Sequence, residues 1–287
     1  MANRPIIAIV GPTGVGKTKL GIALAKAMNG EVISVDSLQT YRHGGIMTAK
    51  PTIQEMDGVK HHLIDYLQPD QEPSAFVDLA ISRIQQIQDG GKIPLLVSGS
   101  ISLTEPLLSH HFIQRSDLSV IFLDSNMSLL KPRLDKRVDK MVEEGLIEEV
   151  RELYELEQSM LGCADFSRGV WKAIGYPELR PAVVECNEGS NQTYVKKEIA
   201  EMKKHTSSYA QDQINRIRCR LIPAVYVWDI NFMVLFVKDE MTFEKRVIQP
   251  SISACLGWLS EDTKGRVTIE NTTRSWRSET GLCSQIV

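Results

Sequence analysis

Cysteine is scarce in this 287-residue chain, and the five present (Cys163, Cys186, Cys219, Cys255, Cys283) are irregularly spaced with no C-x-x-C pair. Such a set fits reduced thiols in a reducing compartment rather than a disulfide framework. Histidine stops at His205, so a Cys/His zinc finger cannot be assembled from the last 80 or so residues. No run approaches the roughly 20 apolar residues of a membrane span. The apolar part of MANRPIIAIV is too short for a secretory core, and no Arg/Ser-rich transit segment precedes it, so a cytoplasmic protein is expected. Neither sign of charge dominates: 33 basic against 36 acidic residues leave −3, with a pI of about 6.1. A broad basic surface for a nucleic-acid backbone is not indicated, although a local patch remains open. Glycine and proline are not in excess, and a hydrophobic fraction of 43% is enough to bury a sizeable core.

What is present begins with a strand signal. Pro5–Val10 (PIIAIV) is a short continuous apolar run of the buried parallel type. GPTGVGKT follows at once and matches G-x-x-x-x-G-K-[ST], the phosphate-binding loop. Gly11, Gly14, Val15, Gly16, Lys17 and Thr18 are then the candidate phosphate cradle: converging amides, a helix N-terminus, a lysine charge, and a threonine hydroxyl suited to Mg²⁺. The helix after the loop is legible in Leu20, Ala23, Leu24 and Ala27, ended by Asn29-Gly30. The loop alone does not say which phosphate compound binds.

Val32–Val35 reads as a second strand, with Asp36 at its carboxyl end. Ligands of open α/β sheets lie at that end, so Asp36 either faces the same crevice as the loop or closes a turn, as Asp often does. Position alone does not decide between the two.

The motifs GPTGVGKT, EVISVDSLQTYRHGGIMTAKPT, GVKHHLID, GKIPLLVSGS, PRLDKRVDKMVEEGLIEEVREL and KAIGYPEL, in that order over about residues 5–222, resemble the isopentenyltransferases that prenylate adenine. The resemblance implies transfer of a dimethylallyl group from dimethylallyl diphosphate to the exocyclic amine of adenine, with Mg²⁺ as cofactor. It implies that Asp36 is the general base, that Thr13 reaches the leaving oxygen, and that Lys17 and Arg137 hold the diphosphate. It places Asp36, Ser37, Thr48 and Asp165 on the acceptor side. The chemistry is coherent: charge develops on phosphate oxygens, and the attacking amine is a weak nucleophile helped by a proton acceptor.

The acceptor is either a free adenine nucleotide (AMP, ADP or ATP) or tRNA. In the family, tRNA-modifying members carry a large helical insertion after the strand ending here in LLVSGS. In this chain only ISLTEPLLSHHFIQRSDL separates that strand from SVIFLD. Asp165–Leu179 (DFSRGVWKAIGYPEL) looks like the nucleotide-using, cytokinin-forming branch, although Asp165 also suits a helix cap; RHGGIMTAKPT is worded more like the tRNA branch. The reading is therefore an adenylate dimethylallyltransferase that initiates cytokinin biosynthesis, with tRNA and membranes not expected as partners. The alternatives are a tRNA dimethylallyltransferase with a reduced RNA-binding part, a small-molecule kinase, and a decayed nucleotide-binding regulator.

A single helical pattern is expected from Ser128 to about Glu157. Arg133 and Arg137 lie four apart on one side of it; Arg137 is assigned to phosphate, and Arg133 to solvent or to a pair with Asp139 or Glu144. Adjacent His61 and His62 are read as structural rather than as metal ligands. Asp212 stands where the family pattern T-x-x-x-A-x-R-Q has arginine, so either it turns away or Arg216 and Arg218 take over its contact. Ser98 replaces the first glycine of the family's Gly-Gly. The expected fold is a P-loop NTPase-like parallel α/β sheet flanked by helices, with strands at 5–10, 31–35, 94–98 and 119–123 and the first two paired. A helical C-terminal portion spans about 128–222. One domain is drawn over 1–259, with a docking strand or helix after Pro223 and a loose tail over 260–287.

Overall fold

In the computed structural model, which describes residues 4–186 and 192–260, six parallel strands form one sheet. They are β1 (Pro5–Val10), β2 (Gly30–Val35), β3 (His61–His62), β4 (Ile93–Ser98), β5 (Asp117–Asp124) and β6 (Asn231–Phe236). Their order across the sheet is β3-β2-β4-β1-β5-β6. The four expected strands are all present, but the expected pairing of the first two is corrected. β4 lies between them, pairing Ile7 with Leu95 on one side and Val32 with Leu95 on the other. The sequence order hides this, because after β2 the chain runs out to β3 at the edge and only then crosses through a helix back to the middle of the sheet.

The apolar run of β1 is continuous because the strand is covered on both faces. Ile6, Ala8 and Val10 enter a core with Ile84 of α3 (Phe76–Asp89), Leu107 of α4 (Ile101–Ser109) and Val225. Ile7 and Ile9 enter another with Leu20 and Leu24 of the helix that follows the loop, and with Cys255 near the C-terminal side. That first helix, Lys17–Ala27, is α1, and α2 is the single turn Ile53–Met56. Between β4 and β5 lie only α4 and the short α5 (His111–Gln114).

The pattern expected as one helix is two, α6 (Met127–Glu143) and α7 (Leu146–Met160), broken at Gly145, which takes the left-handed conformation at φ 103°. With α8 (Tyr176–Cys186) and α9 (Gln192–Arg216) they enclose a separate core around Trp171, Tyr176, Val150 and Leu153. The Trp171 indole donates to Leu153 O at 3.0 Å. α9 runs on into a wider π-helical turn, Ile217–Leu221, and then α10 (Ile222–Val227). The segment after Pro223 supplies both expected kinds of element, β6 beside β5 and α11 (Gln249–Ser260). The tail expected over 260–287 lies outside the described residues beyond Ser260.

Candidate active site

The strand order sets the site. The phosphate loop leaves β1, Asp36 leaves β2, and the end of β4 stands between, so at about 4.8 Å per strand the two lie roughly 10 Å apart across the sheet. The loop closes tightly. Gly14 and Gly16 adopt φ 77° and 104°, and a Cβ on Gly11 would meet Leu123 O at 2.8 Å. Lys17 opens α1, and its ammonium donates to Pro12 O at 2.7 Å. Desolvation pulls the Lys17 pKa down to about 7; the Asp36 charge opposes the shift and the Arg137 charge adds to it. These three charges thus share one crevice.

Arg137 reaches in from α6, and its Nη1 donates to the Thr13 hydroxyl oxygen at 3.0 Å. The Thr13 amide donates to Gln213 Oε1 at 2.8 Å. Arg133, four residues earlier, has a buried Nη2 with no hydrogen-bond partner, and its charge acts on Asp239. The partners expected for it are taken: Asp139 pairs with Lys203 at 2.5 Å and Glu144 with Lys140 at 3.2 Å.

At the β2 end of the crevice, Asp36 Oδ1 accepts the amides of Leu38 (2.9 Å) and Gln39 (3.3 Å). Oδ2 lies against Gly99, where an added Cβ would come within 2.0 Å of it. Asp36 therefore both closes a turn and faces the crevice, and the two readings of it are compatible. Ser37 Oγ lies 3.0 Å from Ser100 Oγ. Gln39 ties this corner to the next loop, accepting from Ser34 Oγ at 2.8 Å and donating to Ala49 O at 3.1 Å. The buried Thr48 hydroxyl donates to Gly44 O at 2.6 Å, so its remaining capacity is as an acceptor. Lys50 fixes the same loop through Tyr41 O and Asp65, the latter at 2.5 Å.

Asp165 is not brought into this group by its contacts. Its Oδ1 accepts from the Ser167 amide (2.9 Å) and hydroxyl (2.6 Å), and these bonds hold its carboxyl below the usual range. It closes its own turn, as a cap-forming Asp would. Asp212 is exposed, as is Arg216, while the next residue, Gln213, is buried. Arg218 is engaged elsewhere: its guanidinium holds buried Asp124 at the end of β5 in a two-pronged pair of 2.9–3.2 Å. Ser98, in the altered Gly-Gly position, bonds the Thr104 hydroxyl. His62 Nε2 lies 2.6 Å from Glu31 Oε2, whose partner oxygen Lys92 holds at 2.7 Å, and His61 Nδ1 lies 2.9 Å from Val59 O. Among the described residues no cluster of three or more His, Cys, Asp or Glu could hold a metal, and no helix is long and apolar enough to cross a membrane.

Sequence reasoning left out Gln213, Gly99 and Tyr209. The Tyr209 hydroxyl donates to Gly99 O at 3.4 Å; the residue as a whole is 40% exposed, but desolvation at its hydroxyl end, with the Asp36 charge, pushes its pKa upward. The only available signal was the glutamine closing the T-x-x-x-A-x-R-Q pattern.

The family model described as IPP transferase matches this chain over residues 39–112 and 101–220. The chain belongs to the IPP transferase family. It is 43% identical over 252 residues to a bifunctional cytokinin biosynthesis protein of Fusarium pseudograminearum, covering 87% of this chain and 52% of that protein, so it spans about half of the relative's length. It is 30% identical over 283 residues to adenylate isopentenyltransferase 3, chloroplastic, of Arabidopsis thaliana (93% and 83% covered). It is 31% identical over 319 residues to a tRNA dimethylallyltransferase of Staphylococcus aureus (84% and 98%). Among solved structures, the full-length tRNA isopentenylpyrophosphate transferase of Bacillus halodurans superposes with a TM-score of 0.70 at 28% identity, covering 89% of this chain and 96% of that one. The parallel P-loop-type sheet and the family membership of this chain thus rest on sequence and fold together.

Proposed function

We propose that this IPP transferase moves a dimethylallyl group from dimethylallyl diphosphate to the exocyclic amine of adenine in AMP, ADP or ATP, the first step of cytokinin formation. The observation that carries the acceptor is the compact β4–β5 link, in which α4 and α5 fill residues 101–114. The family model breaks into two pieces that meet in this link, at residues 101–112. The 252 aligned positions over 87% of this chain leave only a residue or two of the Fusarium relative without a counterpart, whereas 319 aligned positions over 84% of this chain leave several dozen residues of the S. aureus tRNA enzyme without one. Basic residues of α6 and α9 are also paired internally, Lys131 with Asp135 and Lys203 with Asp139, which leaves fewer charges for a phosphate backbone.

In this reading the diphosphate lies in the loop amides against Lys17 and Arg137. The Thr13 oxygen accepts from Arg137, so its own proton is left to point at the leaving oxygen. The C–O bond to diphosphate breaks, the amine nitrogen bonds the allylic carbon, and Asp36 takes the amine proton. Asp36 is fixed by two backbone amides, so it is oriented before the acceptor arrives. The Thr18 hydroxyl is the protein group offered to Mg²⁺, and one hydroxyl without a carboxylate cage suits an ion that keeps waters and takes substrate phosphate oxygens. When bound, that ion would offset charge on the leaving diphosphate.

Incubating the protein, Mg²⁺ and dimethylallyl diphosphate with AMP, ADP, ATP and unmodified tRNA tests the acceptor by product mass. Prenylated nucleotide is the expected product, and prenylation of tRNA alone overturns the assignment. Lys17 adds a pH signature. A lysine whose pKa is lowered to about 7 carries its charge below that pH and loses it above. Affinity for inorganic diphosphate should therefore fall by up to about tenfold per pH unit above 7, a slope that calorimetry should find removed in Lys17→Met. Equal slopes in the two proteins would refute it.

A further inference from the structure

We propose that Gln213 is a positioning residue that fixes the distance between the two halves of the reaction, the leaving diphosphate on the β1 loop and the proton acceptor on the β2 end. The inference rests on the functional reading above and adds a role for a residue that touches neither substrate. Its carboxamide is 2% exposed and spent at both ends. Oε1 accepts the Thr13 amide at 2.8 Å, and Nε2 donates to Gly99 O at 2.7 Å. Thr13 belongs to the phosphate loop, while Gly99 is the residue against which Asp36 Oδ2 is packed. One side chain from α9 therefore spans the end of β4 and joins both loops.

The neighbours support a brace rather than an incidental contact. Tyr209, four residues earlier on α9 and so on the same face, donates to the same Gly99 carbonyl. Thr13 is gripped from its other side by Arg137 of α6. α6 and α9 are themselves locked by Leu130, Leu134, Ala210 and Ile214. The Gln213 amide and the Arg137 guanidinium thus hold the backbone and hydroxyl of Thr13 from two helices packed on each other. The chemistry of the residue is specific. A carboxamide offers a donor and an acceptor at once, whereas glutamate lacks the donor and methionine lacks both.

The test uses Gln213→Met and Gln213→Glu in the full chain, with two products counted from one donor pool. The first is prenylated acceptor. The second is dimethylallyl alcohol, formed when the C–O bond to diphosphate breaks and water bonds the allylic carbon, its proton passing to solvent. A misplacement near 1 Å costs about 100-fold, so in Gln213→Met single-turnover transfer to the amine should fall by about that factor. The donor KM should stay within a few-fold, and the alcohol's share of donor consumed should rise. Gln213→Glu keeps the acceptor for Thr13 but sets a carboxylate oxygen against the Gly99 carbonyl and adds a negative charge beside the loop, so diphosphate affinity should fall while the partition still shifts toward alcohol. Thermal melts give the folded fraction. If alcohol and prenylated product fall together in proportion to folded protein in both variants, the positioning role is overturned. Wild-type protein assayed in parallel on AMP and on tRNA separates the two claims. Prenylation of tRNA alone overturns the acceptor assignment and leaves the clamp judged by the same partition on tRNA; transfer to neither overturns both.

Discussion

Asp36→Asn is expected to lower turnover by about 10²–10⁴-fold, the usual worth of general-base assistance. The substitution keeps the shape and the oxygen that accepts from Leu38 and Gln39, so the turn at the end of β2 should survive. Only the capacity to take a proton is removed. Diphosphate affinity should change little, because the loop amides, Lys17 and Arg137 are in place. It should rise slightly if it moves at all, since the carboxylate is one of the charges facing Lys17. Single-turnover rates and diphosphate calorimetry on the same preparation check both halves. A near-normal rate would reduce Asp36 to a turn-closing residue, and loss of diphosphate binding would make it part of the cradle.

Gly99→Ala should be nearly as damaging without touching a titratable group. Its methyl would occupy a point 2.0 Å from Asp36 Oδ2, well inside van der Waals contact. The carboxylate is the group that must yield, since Gly99 itself is tied through its carbonyl to Gln213 and its amide to Val35 O. A displacement near 1 Å at the base costs about 100-fold in rate. The melting temperature should fall much less, because the clash is relieved by rotating one short side chain in an open crevice. A variant with wild-type kcat would show that the base is not held where the structure puts it.

The contrast between these residues shows what was legible in advance. β1, the loop and α1 follow from local rules: an apolar run, glycines where φ must be positive, and helical spacing of Leu20 and Leu24. Asp36 was placed at a strand end by the same logic and given its role by resemblance. Three things were hidden because they depend on long-range register. β4 inserts between β1 and β2, which no local pattern encodes. Gly99 needs its missing Cβ only because Asp36 arrives from another strand. Gln213 is 200 residues from Thr13 and reads locally as one polar position on a helix. At Asp165 the bonds present are those of the cap reading, with Oδ1 held by the Ser167 amide and hydroxyl, whereas the acceptor contact rests on motif likeness alone. The break at Gly145 has a local signal in the glycine of EEGLIEE, set within apolar spacing that continues on both sides.

β1 is shared between two cores, with Ile6, Ala8 and Val10 in one and Ile7 and Ile9 in the other, and it is hydrogen-bonded to β4 and β5 along both edges. Neither face can open alone and release it. Its amides should exchange with solvent only through the largest cooperative opening of the fold, in the most protected class of positions. The phosphate loop is thus anchored at its entry to a strand held on both faces and both edges.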